Sequence, residues 1–258
     1  MTRRPPLALA VPAGLGVMFL ALPLVGLVQR APWAAVGHQL ASHEVRQALR
    51  LSLVTSLAAT ALAVVLGVPL AWVLARVSFR GRALVRALAL LPIVLPPVVG
   101  GVALLLAFGR RGLLGGWLAA LGVRLPFTTA GAVVAETFVA MPFVVLATEA
   151  GLRSIDPRYE EAAATLGARP WSVFRRVTLP LLAPSLGAGA ALCWARALGE
   201  FGATITFAGN LPGRTQTMPL AVYVALESQP DGAIALSLLL VAVSVVVLVL
   251  LRRRLFPA

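Results

Sequence analysis

Apolar residues in this chain neither alternate nor follow a single helical stripe; they run unbroken. Residues 7–28, 51–75, 87–109 and 233–251 contain no charge at all. A helix needs about 20 apolar residues to cross the hydrocarbon core of a bilayer, and each run is of that order. Two further runs, 129–151 and 181–207, are mostly apolar and carry two charged residues each, Glu136 with Glu149 and Arg196 with Glu200. The pattern predicts six spans, at 7–28, 51–75, 87–108, 129–151, 181–207 and 233–251. The period-2 alternation of a membrane barrel is absent. The expected fold class is all-α: a polytopic membrane protein of six transmembrane helices, with 1–258 forming one membrane domain. A run of 22 residues is too long for the apolar region of a signal peptide, about 7–15 residues, so the first span is expected to stay uncleaved.

One interruption stands out. "RYEEAAATLGARPWSVFRRVTLP", Arg158 to Pro180, is too polar to cross lipid. Asp156-Pro157 reads as a helix start, an N-cap acid followed by proline at the first helical position. The helix is expected to run to Leu166 and to end at Gly167, a residue that takes the left-handed conformation cheaply. Pro170 opens a second short helix, expected to end near Leu179-Pro180. Ala162, Ala163 and Ala164 leave the first helix nearly bare beside Glu160 and Glu161, so another surface can approach closely. Phe174 and Val177 can pack back onto the spans. These features fit a docking surface or a solvated loop helix equally well.

Charge narrows the function. All 22 basic residues are arginine. A Walker A loop needs a lysine to reach nucleotide phosphates, so any ATP that drives this protein is expected on another polypeptide. With the N-terminus placed inside, fourteen arginines fall on the inner side (Arg3, Arg4, Arg76, Arg80, Arg82, Arg86, Arg153, Arg158, Arg169, Arg175, Arg176, Arg252, Arg253, Arg254). Seven fall outside (Arg30, Arg46, Arg50, Arg110, Arg111, Arg124, Arg214). That bias puts both termini and the 158–180 stretch in the cytoplasm. It also explains the net charge of +13 as topogenic, with no nucleic acid as partner. Cys193, the single cysteine, reads as small apolar filler. His38 and His43 lie five apart, not at the i, i+4 spacing of a helical metal site, so no metal is expected.

The interrupting stretch resembles the cytoplasmic signature of ABC importer permeases: E-A-A, three residues, G, nine residues, I, one residue, L-P. Glu161-Ala162-Ala163, Gly167, Val177 in place of the isoleucine, and Leu179-Pro180 match it at full spacing. "ARALGEFGATITFAGNLPGRTQTMPLAVY" (195–223) and "LLPIVLPPVVGGVALLLAFGRRGLLG" (90–115) resemble the molybdate/sulfate branch of that family, and the molybdate permeases more closely. The likeness covers most of the chain from about residue 49 onward. It implies that 152–180 is the coupling-helix loop, with Glu160, Glu161, Ala162, Ala163 and Gly167 serving ATPase coupling. It implies a second copy of this chain, two ABC ATPase subunits that bind the ATP and magnesium, an extracytoplasmic oxyanion-binding protein, surrounding membrane lipid, and no cofactor or catalytic residue in this chain. The implied cargo is molybdate, with sulfate, thiosulfate or tungstate as alternatives in the same class.

Candidates for the pore, the gate or a contact between copies lie in the third and fifth spans. Pro92, Pro96 and Pro97 remove helix hydrogen bonds and bend the axis, and Gly100 and Gly101 follow; a static kink and a gate both fit. In the fifth span Gly187, Ala191, Ala195, Gly199 and Ala203 recur every fourth residue, a stripe that lets membrane helices pack closely, and Gly202 lies next to its end. Arg196 and Glu200, four apart, can pair on one helical face, either beside a water-filled path or merely steadying the packing. Ser52, Ser56 and Thr60 form a seam expected to join helices. Glu136 is expected to be buried and hydrogen-bonded. An autonomous ion-coupled carrier would need Glu136 and Glu200 as ion sites. An intramembrane enzyme would need histidine and acid clusters that the spans lack.

Overall fold

A computed structural model describes residues 6–255; Arg3 and Arg4 lie outside the described residues. The chain forms α1 (Leu7–Gln29), α2 (Trp33–Leu40), α3 (His43–Arg76), α4 (Arg82–Val94), α5 (Pro97–Phe108), α6 (Gly115–Ala120), α7 (Thr129–Ser154), α8 (Arg158–Thr165), α9 (Pro170–Val173), a π-helical turn (Phe174–Thr178), α10 (Leu179–Leu198), α11 (Gly202–Ala208), α12 (Met218–Ser228) and α13 (Pro230–Leu255). No strand occurs among the described residues.

Five helical stretches among these are long and apolar enough to cross a membrane: α1, α3, α7, the continuous run Pro170–Leu198, and α13. The third expected span, 87–108, is not one helix. It is broken at Leu95-Pro96 into α4 and α5, because Pro96 and Pro97 withhold two consecutive N–H groups and Pro96 holds Leu95 extended, at ψ 129°. The fifth expected span is broken too, between Leu198 and Gly202. Where the second span was expected to begin at 51, α3 starts eight residues earlier at His43, capped by the Ser42 hydroxyl accepting the Val45 N–H at 3.3 Å.

Helix α7 is the most buried of the five long stretches and packs chiefly between α3 and α10. Their common core is made of small side chains: Ala59 and Ala63 of α3, Ala140 and Val144 of α7, Cys193 and Ala197 of α10. In lipid there is no hydrophobic drive between helices, so contact area comes from backbones brought close by small residues. At Gly189 a Cβ would lie 2.6 Å from the Ala147 Cβ, so only glycine permits this spacing. The packing face of α10 is therefore Leu182, Gly189, Cys193 and Ala197. The stripe expected from sequence is a different one: Ala191 and Ala203 are buried, but Ala195 and Gly199 are exposed. Helix α1 buries none of its spanning stretch, as fits a helix that is apolar all round and faces lipid.

Candidate functional site

At the end of the bundle where α3 and α7 finish, residues 156–178 form a short projecting hairpin. The Asp156 carboxylate accepts the Arg158 N–H at 3.0 Å and starts α8. At the other end the Gly167 N–H donates to the Ala164 carbonyl at 2.9 Å and the Ala168 N–H to that of Ala163 at 3.1 Å. Gly167 has φ +82°; this is a Schellman cap. No residue of α8 is buried. Tyr159, Ala162 and Leu166, three and four apart, share one helical face and are exposed, Leu166 at 88%. Glu161 is exposed beside them. Ala163 is half-buried and Gly167 is exposed.

The two glutamates differ. Glu160 turns toward its own chain: one carboxylate oxygen accepts from Arg76 of α3 at 3.3 Å and from the Thr178 hydroxyl at 2.8 Å. Beside it, Glu149 of α7 binds Arg86 of α4 and, at 2.8 Å, Arg153. Arg76 and Arg86 are thus tied to acids of neighbouring helices, and Arg153 to an acid of its own helix. The second helix of the hairpin does not stop at Leu179-Pro180 as expected; it runs on into α10 through the π turn. Pro180 has no N–H for the Arg176 carbonyl and its ring crowds that carbonyl, and the widened turn absorbs both. Phe174 packs on the α3–α7–α10 core, as expected, and stacks on the exposed Trp171 with ring centroids 5.6 Å apart.

Deeper in the bundle the two broken helices meet. A Cβ on Gly101 of α5 would lie 2.6 Å from the Thr206 Cβ and 2.9 Å from the Ala203 carbonyl oxygen. One on Gly202 of α11 would lie 3.0 Å from the Pro97 Cβ. Gly100 is buried against Phe138, while Pro96 and Pro97 are exposed. Arg196 and Glu200 do pair, at 2.6 Å, but not along one uninterrupted helix: α10 ends at Leu198, and Glu200 sits in the break. Its second oxygen accepts the Ala203 N–H at 2.8 Å, so it caps α11. Glu200 is 1% exposed, whereas the Arg196 side chain is 30% exposed, next to the exposed Gly199.

The polar seam of α3 joins helices. The Ser52 hydroxyl accepts the Met218 N–H at 2.7 Å and so starts α12. Ser56 accepts the Trp194 indole N–H at 2.9 Å, and Thr60 bonds back to the Ser56 carbonyl at 2.8 Å. Glu136 is buried and accepts from Thr55 at 2.8 Å, in keeping with its expected role. Thr55, Trp194, Arg76 and Thr178 escaped the sequence reading. Their partners lie 18 to 138 residues away, and no local pattern marks such pairs.

Comparison with known proteins gives one picture. Residues 63–258 match the family model described as binding-protein-dependent transport system inner membrane component. The molybdenum transport system permease protein ModB of Mycobacterium tuberculosis is 49% identical over 231 residues, which is 90% of this chain and 88% of that protein. The sulfate transport system permease protein CysT of Escherichia coli is 38% identical over 230 residues, 87% of this chain and 83% of that protein. In fold, the chain resembles one from the crystal structure of a bacterial ABC transporter involved in alginate import, with a TM-score of 0.74 at 20% identity, covering 95% of this chain and 93% of that one.

Proposed function

The chain belongs to the family of binding-protein-dependent transport system inner membrane components, and on that premise we propose that it is the membrane subunit of an ATP-driven importer that brings molybdate into the cytoplasm. The observation that carries this reading is 49% identity to a molybdenum permease across 90% of the chain. Sulfate is less well supported, at 38% identity to a sulfate permease.

The importer reading requires a second copy of this chain, two ABC ATPase subunits holding ATP and magnesium, and an extracytoplasmic oxyanion-binding protein. This chain supplies no cofactor and no covalent chemistry. It resides in the plasma or inner membrane of a bacterial cell with both termini cytoplasmic. The arginine bias supports that orientation, and Arg76, Arg86 and Arg153, all assigned inside, cluster at the α8 end. Helix α8 is the coupling helix of a loop spanning 152–180. It offers the ATPase an apolar strip of Tyr159, Ala162 and Leu166, the small Ala163 next to it, and the exposed charge of Glu161, with Gly167 setting the angle of approach. Closure of the ATPase pair moves α8, and the broken helices α4–α5 and α10–α11 swing between inward and outward openings. Pro96, Pro97, Gly100, Gly199 and Gly202 lie where that motion is absorbed, and Arg196 with Glu200 lies at the same break, toward the path or the second copy.

Reconstitution tests the reading. Purified permease alone should move no molybdate into liposomes; with ATPase and binding protein, ATP should drive uptake. Glu161→Lys should leave the chain inserted and folded and abolish ATP-driven uptake, since it reverses a charge at the docking surface. Unchanged uptake by that variant rejects the docking role, and uptake without the ATPase favours a self-sufficient carrier.

A further inference from the structure

Given the importer reading, on which this inference rests, a push on α8 has to reach helices inside the membrane, yet α8 has almost nothing to push with. None of its residues is buried, so no apolar core fastens it to the bundle. Its covalent tie at one end is the turn at Ile155, seated on Leu152 and Leu182. At the other end is Gly167, an open, left-handed turn with nothing within 4 Å of its Cβ position. We propose that Glu160 is the joint that carries the force: a positioning residue that clamps α8 to α3 through Arg76 and to α10 through Thr178.

The geometry suits a joint. Glu160 and Glu161 are successive residues, so they point about 100° apart around the helix axis. Glu161 is exposed, while Glu160 is held inward by two elements at once. The pair is sheltered, with side-chain exposures of 18% for Arg76 and 23% for Glu160, and Thr178 is 1% exposed. A charge-assisted bond in shelter is stronger and more directional than an exposed ion pair. Thr178 is the last residue of the π turn, so the clamp grips the α9–α10 helix at its least regular point, where a change of pitch costs least. Such turns occur often at functional positions.

The clamp is also half-made. One oxygen of Glu160 takes both donors, and the Arg76 Nε is buried without a partner among the described residues. An arginine fork with one prong unspent can follow the carboxylate through a rotation of α8 and pair again, without stranding either charge. There is room for that rotation. A cavity of about 310 Å³ lies beside Glu160, walled by Trp72, Ala164, Ala168 and Phe174 among others.

The test uses the full complex of permease, cognate ATPase and binding protein in liposomes. Molybdate uptake and ATP hydrolysis are measured on the same vesicles, and retained ATPase is measured by co-purification. Absence of ATP-dependent uptake by the unmodified complex sinks the importer reading and the clamp together. Where that complex is active, Glu160→Gln and the near-isosteric Thr178→Val should keep the ATPase bound and hydrolysing, while molybdate carried per ATP falls about five-fold or more, the scale of a typical coupling between sites. Exchanging the charges, Arg76→Glu with Glu160→Arg, should recover most of that ratio. The clamp alone is overturned by an unchanged ratio in both single variants, by loss of the ATPase from the Glu160→Gln complex, or by a charge-exchanged pair no better than the singles.

Discussion

The projecting hairpin and the interior contact of α5 with α11 both depend on glycine and proline, and they use them for opposite purposes. In the hairpin, Gly167 has φ +82° and open space around it: glycine is there for its backbone conformation. At the interior contact, Gly101 and Gly202 have ordinary backbones, and their value is the missing Cβ that lets two half-helices touch. Pro170 begins a helix in the hairpin, whereas Pro96 and Pro97 end one and begin another within the membrane. The hairpin, proposed above as the lever, is thus set by local geometry and held by polar bonds. The interior is a close-packed seam held by shape.

The contrast predicts different failures. The largest effect belongs to the seam. In Gly101→Val, backbone oxygen and a side-chain carbon already occupy the space of the new Cβ, and overpacking of this kind costs about 3 kcal/mol. The purified variant should show a markedly lowered thermal midpoint and poor recovery as a folded species. A variant as stable as the parent would mean that α5 and α11 are not in close contact.

An intermediate effect belongs to the lever. In Gly167→Val nothing collides, and the cost is the left-handed conformation itself, about 1–2 kcal/mol for a residue with a Cβ. The thermal midpoint should change little, because α8 contributes no buried core, while ATP-driven molybdate uptake falls. A fall in stability with transport per folded molecule unchanged would reverse the assignment of lever and seam. The smallest effect is expected at Ser56→Ala, which removes the acceptor of the Trp194 indole. Hydrogen bonds between membrane helices average about 0.6 kcal/mol, so a slight drop in thermal midpoint with full transport is the expected outcome. A loss of transport there would give the α3–α10 contact a part in the motion.

Much of the hairpin was legible because its signals are local. Asp156, Pro157, Gly167 and Pro170 each act on backbone within a few residues of themselves. The point where local signals failed was Pro180, read as a stop and found inside a continuous helix. A π turn lets the chain keep going at the cost of one widened loop, and packing of Leu182 and Gly189 onto α7 and its flanks makes that cost worth meeting. The stripe at Gly187, Ala191, Ala195, Gly199 and Ala203, offered for the path or a contact between copies, is not the face on which α10 meets α7, and Ala195 and Gly199 are exposed. Small residues recur on more than one face of α10, and periodicity cannot say which face meets α7. Glu160 was read as the twin of Glu161, since nothing near them in sequence reveals that Arg76, 84 residues earlier, waits on one side only.

Hydrophobic run length, the absence of lysine and the spacing of one signature were enough to establish an all-helical membrane protein without a Walker A lysine, its resemblance to ABC importers and the position of its projecting hairpin. Each of these depends on bilayer thickness, on the reach of a side chain or on capping within a single turn, and none needs a partner far along the chain. Where the fifth span breaks, which glycines let the half-helices touch, and which of two adjacent glutamates is tied inward were decided by tertiary structure alone. Those outcomes turn on which surfaces come within about 4 Å of each other, and that is a property of the packed bundle.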